Sequence, residues 1–496
     1  MFLALFRCNP VKLAQVACNV TRHRRARGNT WLAQAMPMHW AANIRLKPIT
    51  CRDVWYVSLI SWADIEHKIW AKAQKIDNQT FCSGSLPDPR TSEMLRGNQI
   101  NAFGGAMRPG NSVFSGLGTT IFSTMSAMAL EHGAINLGQG FPDDEGPAEL
   151  RERAAQAIMT GPNQYPPSMG LPELRKAVAD HDTRFYGLDV DWQSETLVTS
   201  GATEALADCF LALLNPGDEA ILIEPFYDSY LPMVEATGAR AVTVGLEAPN
   251  WDLDLEVLTA AFSNKTKLIV VNTPMNPTGK VFSKTELKGI ADLAQKHDAY
   301  VILDEVYEHL VYAGAAHETM MALPGMRNRC VRIASAGKTF SLTGWKIGYV
   351  TAAPDLLALV NRAHQFVTFT TPPAFQLAVA WGLGQGDAYF QNLATDLEQK
   401  RDLLSKGLAA VGFDVVRSDG TYFVTTDISG LGYNGTDLDF CTEITANAGV
   451  SAIPVSPFYK PREGGVGIPR NMVRFCFSKQ PEVLEESVFR LKRYFG

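Results

Sequence analysis

No apolar run in this chain reaches the ~18 residues that a membrane-spanning helix needs; the longest candidate, residues 54–63, is too short. No C-x-x-C pair occurs, and the 8 cysteines among 496 residues do not cluster with histidine. Zinc-type ligand spacing is therefore absent, no metal site is expected, and free thiols in a reducing compartment are the natural reading. There is no internal repeat or low-complexity tract, which sets repeat architectures aside. The apolar opening of residues 1–6 is cut by Arg7, too little for a secretory core, and no serine precedes Ser58, unlike a transit peptide. These absences together lead us to expect a cytoplasmic protein. With 46% hydrophobic and 19% charged residues the composition is that of an ordinary globular protein, and the length allows two or three domains.

Charge is unevenly spread. Residues 1–106 hold 14 Lys+Arg and 6 Asp+Glu, a balance of +8; the remainder holds 45 − 14 = 31 basic and 51 − 6 = 45 acidic residues, a balance of −14. Five of the nine tryptophans also fall in residues 1–106, which show no sustained periodicity. The basic block Arg22–Arg27 would suit a nucleic-acid patch, but no helix-turn-helix pattern accompanies it. The expectation is an extension of uncertain structure outside the catalytic unit, with Met107 a plausible start, and with neither nucleic acid nor membrane as partner.

From about residue 195 short apolar strands alternate with amphipathic helices. Strand patterns occur at 196–199, 220–223, 267–272, 300–303 and 331–334, with helices at 203–214 and 287–297. Such alternation predicts an α/β fold with a three-layer large domain around a mostly parallel sheet. A long helix to about Val411, strands near 422–426 and 472–477, and a closing helix at 481–494 predict a smaller α+β domain. The expected organisation is 1–106 extension, 107–150 packing on the small domain, 151–385 large domain and 386–496 small domain.

The densest signal is Ser-Ala-Gly-Lys-Thr-Phe at 335–340, continuing to Gly348. It places Lys338 in a small-residue loop after a buried strand, with Lys346 eight positions later. A lysine so held can form a Schiff base with an aldehyde cofactor, and small neighbours let a phosphate approach the backbone. Upstream lie Asn-Pro-Thr-Gly at 276–279 and Asp-Glu-Val-Tyr at 304–307; downstream lies Val-Arg-Phe-Cys at 473–476. In this order and spacing the segments resemble the class I/II, fold-type I pyridoxal 5'-phosphate aminotransferases, from about Thr119 to the C-terminus. Asn-Leu-Gly-Gln-Gly-Phe-Pro-Asp at 136–143 and Glu-Pro-Phe-Tyr-Asp-Ser-Tyr at 224–230 are most similar to the kynurenine, glutamine and methionine branch.

The resemblance implies a role for each position. Lys338 carries the cofactor and shuttles the Cα proton. Asp304 ends an apolar strand, where a carboxylate needs a cationic partner; a protonated pyridine nitrogen is one, a structural pair another. Asn276 and Tyr307 would donate to the phenolic oxygen. Ala202 and Thr203 open a helix whose amides and dipole suit a phosphate, with Ser335 and Lys346 completing the cradle. Lys346 stands where many relatives have Arg, keeping charge but losing the fork. Tyr227 matches the ring that stacks on the cofactor, although Phe226 is adjacent. Arg474 interrupts a strand, and its fork suits a substrate carboxylate, a structural salt bridge being the competing reading; Gly140 matches a backbone contact to the same carboxylate. Tyr165 and Phe369 match residues that cross to a partner's site, which implies a homodimer. His309, His317 and His364 have no partners at ligand spacing and read as structural. The implied activity is ping-pong transfer between a neutral, sulfur-containing or aromatic L-amino acid and a 2-oxo acid. A β-lyase or decarboxylase outcome and, less favoured, an aminotransferase-like transcription regulator are the alternatives.

Overall fold

The computed structural model describes residues 108–496 apart from Ala313; the expectations for residues 1–106 lie outside the described residues. Among the described residues thirteen strands run in chain order: β1 Ile135–Asn136, β2 Thr196–Ser200, β3 Glu219–Glu224, β4 Arg240–Gly245, β5 Thr266–Asn272, β6 Tyr300–Asp304, β7 Cys330–Ser335, β8 Ile347–Ala352, β9 Asp414–Val415, β10 Phe423–Asp427, β11 Val450–Ser451, β12 Ile453–Pro454 and β13 Met472–Cys476. Seven form one sheet in the order β2-β8-β7-β6-β5-β3-β4. Only β8 runs against its neighbours; β7, β6, β5, β3 and β4 pair in parallel. The buried runs Ala-Ile-Leu-Ile and Leu-Ile-Val-Val reflect helices on both faces, so each strand is apolar on both sides.

The C-terminal ends of β2, β5, β6 and β7 therefore share one edge, and antiparallel β8 begins there. In open α/β sheets this edge is where ligands bind. Chain continuity puts chemistry on it: Gly201–Leu213 starts its helix directly after β2, Asp304 ends β6, and Lys338 follows β7. Close approach of β8 to the start of that helix depends on Gly348, whose added Cβ would lie 2.5 Å from the Gly201 carbonyl carbon.

A second, antiparallel sheet has the order β12-β13-β10-β9. The long helix Asp387–Val411 and the terminal helix Pro481–Phe495 pack together, and Leu404, Leu408, Phe413, Phe440, Phe475, Leu484 and Leu491 join one core beside this sheet. The segment before 150 meets this region through β1, which pairs in parallel with β11, and through helix Ile121–His132. Two strands of the seven-stranded sheet had no forecast. Edge strand β4 is only half-buried, and β8 is interrupted by glycine. Lys338 also departs from expectation: it lies in a four-residue helical turn, Ala336–Thr339, rather than a loop. That turn forms because Phe340 N–H closes onto Ala336 O, 2.9 Å away.

Candidate active site

A cavity of about 370 Å³ opens at the shared strand edge, within the range of small-molecule sites. It is lined by Gly140, Ala202, Thr203, Tyr227, Asn276, Asp304, Tyr307, Ser335, Lys338, Lys346 and Arg474, together with Phe122, Phe141 and Phe423. Eleven positions scattered over 335 residues of sequence thus meet in one hollow. Tyr165 and Phe369 do not. Both are exposed (83% and 41%) and contact each other edge to face at 5.6 Å between ring centroids.

Lys338 Nζ donates to the Tyr422 hydroxyl at 2.8 Å, and Tyr422 donates to Gly140 O at 2.7 Å. Burial lowers the Lys338 pKa to about 8, against the opposing pull of Cys476 and Asp304. Asp304 accepts a hydrogen bond from the Tyr230 hydroxyl on Oδ2. Its Oδ1 is buried and has no hydrogen-bond partner. Burial raises the Asp304 pKa to about 6, although the Tyr230 hydroxyl and Lys338 favour the ionised form.

Arg474 crosses the far wall from β13. Its guanidinium donates to Asn276 Oδ1 at 2.7 Å and Gly138 O at 2.6 Å, lies 3.9 Å above the Phe423 ring, and leaves Nε buried without a partner. Among the described residues no carboxylate pairs with it within 4.0 Å, which removes the structural salt bridge as an explanation. Burial lowers its pKa to about 10. With Oδ1 engaged, Asn276 has its amide NH₂ left to donate; its backbone is held by Asn272 Oδ1 at 2.8 Å. Gly140 permits close passage of its segment, since an added Cβ would lie 2.7 Å from Phe423 Cζ. Lys346 adopts a left-handed turn (φ 56°) that brings its ammonium to Gly201, where a Cβ would lie 3.4 Å from Nζ.

Tyr230 and Tyr422 escaped sequence reasoning because a buried aromatic reads as core by default; only their hydroxyls distinguish them. The histidines also differ from expectation. His181 Nε2 lies 2.7 Å from His309 Nε2, and His364 Nδ1 lies 2.7 Å from Glu204 Oε1 with Asp208 Oδ2 at 3.7 Å. Both groups have the separations of possible ion ligands, created by folding between residues 128 and 160 positions apart.

Similarity to known proteins decides the family. The sequence model of Aminotransferase class I and II matches residues 132–491. The chain belongs to the class I and II aminotransferases. This aminotransferase is 44% identical over 379 residues to a probable N-succinyldiaminopimelate aminotransferase, DapC, of Mycobacterium tuberculosis, covering 75% of this chain and 95% of that one. It is 38% identical over 377 residues to the methionine aminotransferase of Escherichia coli, with 76% and 96% covered. The solved structure of the M. tuberculosis N-succinyldiaminopimelate aminotransferase superposes with a TM-score of 0.74 at 43% identity, covering 77% of this chain and 99% of that one. Both the fold-type I architecture and the expected enzyme class hold, and the family's cofactor is pyridoxal 5'-phosphate. No helix among the described residues is long and apolar enough to cross a membrane.

The residues present fit that cofactor. The unpartnered Asp304 Oδ1 is suited to a protonated ring nitrogen, the helix start at Gly201 with Lys346 to a phosphate dianion, and Lys338 to an aldehyde carbon.

Proposed function

We propose that this aminotransferase exchanges nitrogen between a neutral, sulfur-containing or aromatic L-amino acid and a 2-oxo acid by a ping-pong cycle in the cytoplasm. The observation that carries this reading is Arg474, a buried guanidinium with an open Nε and no acid, across the cavity from Lys338. Pyridoxal 5'-phosphate, when bound, supplies an aldehyde that condenses with amines and a ring that accepts the electron pair of the broken Cα–H bond.

The chain's own residues then divide the remaining work. Arg474 binds the substrate carboxylate, its plane set by Asn276 and Gly138 and its charge sharpened by the apolar surroundings. Asp304 would keep the ring nitrogen protonated through its open Oδ1. Asn276 and Tyr307 would donate to the phenolic oxygen, and Tyr227 would pack against the ring. Ala202, Thr203, Ser335 and Lys346 would hold the phosphate. Lys338, eased toward the neutral amine by burial, takes and returns the Cα proton. Phe122, Phe141 and Phe423 favour an uncharged side chain on the donor. The exposed Tyr165–Phe369 pair supports a homodimer in which these residues serve the partner's cavity.

A second substrate reading has its own observation. A cleft of about 950 Å³ shares Phe122 and Tyr227 with the cavity and carries Arg462 and Arg470. Arg462 pairs with Glu224, whereas Arg470 has no carboxylate partner among the described residues. Such a cleft suits a longer donor with a distal carboxylate, as the name of the M. tuberculosis relative suggests. A donor panel of methionine, glutamine, kynurenine, aspartate and N-succinyldiaminopimelate against several 2-oxo acids separates the two. Parallel double-reciprocal lines support the ping-pong cycle. Pyruvate and ammonia released without an oxo acid would make the enzyme a β-lyase.

A further inference from the structure

We propose that Tyr422 is a positioning residue for Lys338: it holds the ε-amine in the one orientation that leaves the nitrogen lone pair free to take a proton. The proposal rests on the reading of Lys338 as the cofactor-binding and proton-carrying lysine.

The direction of two hydrogen bonds carries it. Tyr422 Oη lies 2.7 Å from Gly140 O and 2.8 Å from Lys338 Nζ. A carbonyl oxygen can only accept, so the phenol proton is committed to Gly140. Lys338 must then donate to Tyr422 Oη. A neutral amine has two N–H bonds and one lone pair; giving one N–H to Tyr422 leaves the lone pair available. The opposite polarity, with phenol donating to amine, would block the base. When the substrate Cα–H bond breaks, the proton forms a new N–H bond on Lys338. The electron pair stays with the carbon and is delocalised into the cofactor ring. The ammonium so formed keeps its hydrogen bond to Tyr422 Oη, now charge-assisted.

The backbone holds this tyrosine under strain. Thr421, immediately before it, is β-branched yet has φ 67°, a left-handed conformation that such residues rarely adopt. Its carbonyl accepts from the Tyr312 hydroxyl, its N–H donates to Leu310 O at 2.9 Å, and its Oγ1 accepts from Phe423 N–H at 3.1 Å. Leu310 N–H in turn donates to Tyr307 O at 2.7 Å. The chain that leaves β6 after Asp304 therefore grips the start of β10 and aims Tyr422 at the lysine. Tyr422 is 1% exposed, and burial keeps its phenol protonated. Through Gly140 it also tethers the segment whose Gly138 carbonyl accepts from Arg474, so one hydroxyl links the lysine wall to the carboxylate wall.

Tyr422→Phe in the full-length enzyme tests this with two measurements. In cofactor-free protein, Lys338 is titrated by the pH dependence of its modification with trinitrobenzenesulfonate, located by peptide mass mapping. Loss of an acceptor that favours the ammonium should lower the midpoint by about half a unit or more. In the loaded enzyme, kcat should fall about 10- to 100-fold with KM changed less than about twofold, and the isotope effect on a Cα-deuterated donor should rise. An unchanged midpoint overturns the proposal. So does a fall in thermal stability and cofactor content with a wild-type isotope effect, because Tyr422 would then only pack. Thr421→Gly releases the strained turn without altering the tyrosine and should shift both readings the same way by less. It carries the test if Tyr422→Phe does not fold, and wild-type values there also overturn the proposal. Borohydride trapping of the cofactor on another lysine in the wild type would instead overturn the underlying reading of Lys338.

Discussion

Two arginines in this molecule are equally buried and opposite in circumstance. Arg332, on β7, is 1% exposed and meets three carboxylates: Glu305 at 2.7 Å, Asp182 at 2.8 Å, and Glu308. Arg474, on β13, is also 1% exposed and meets only a side-chain amide and a carbonyl, with Nε left open. Burial would lower the Arg332 pKa, but Asp182 and Glu308 outweigh it and hold it well above the usual value; Arg474 falls to about 10. A saturated buried charge serves the fold. One left short of a counter-ion is prepared for a ligand that brings its own.

The largest expected effect lies on the open side. Lys338→Ala should lower transamination by about 10⁴-fold or more, with borohydride no longer trapping the cofactor; near-normal turnover would break the comparison at its centre. Arg474→Met should lower kcat/KM by about 10²-fold, while stability changes by less than about 1 kcal/mol. That is because losing an unpaired buried charge offsets the two hydrogen bonds removed. Arg332→Met should do the reverse, costing about 3–5 kcal/mol in denaturant unfolding because three carboxylates are left uncompensated. Equal stability losses for the two arginines would mean that counter-ion saturation does not separate them.

The smallest effect concerns His364, a saturated side chain under the helix that starts at Gly201. Burial would lower its pKa, but hydrogen bonds to Asp208 and Glu204 outweigh it and raise the value to about 10. A pKa raised by folding gives stability that is complete below the unfolded value near 6.5 and is lost as pH rises through 10. His364→Gln should therefore be less stable than wild type by about 2 kcal/mol at pH 6, with the gap closing between pH 6.5 and 10. A gap that widens with pH would reverse the sign.

Legibility differed between residues for physical reasons. The strands ending at Asn272, Asp304 and Ser335 were visible because they are buried on both faces and read as unbroken apolar runs. Edge strand β4 was not, since half its side chains face away from the core. The two-residue pair β1–β11 is too short for any period. Among site residues, Lys338, Asp304 and Arg474 were legible through the ordered motifs around them, and Asp304 and Arg474 also as charges in apolar strands. Tyr230 and Tyr422 are aromatic wherever they lie, and a hydroxyl becomes informative only once its acceptor is known. Histidine spacing misled in the same way: His364 lies 160 positions from the Glu204 it touches.

The amino-acid order by itself determined the strand–helix alternation, the lysine-bearing segment and the family, because buried runs and local motifs are properties of neighbours along the chain. Only the tertiary structure decided which polar atoms are satisfied. Asp304 Oδ1 and Arg474 Nε are left open and the Arg332 donors are filled because satisfaction depends on partners brought from distant sequence into a space that water cannot reach.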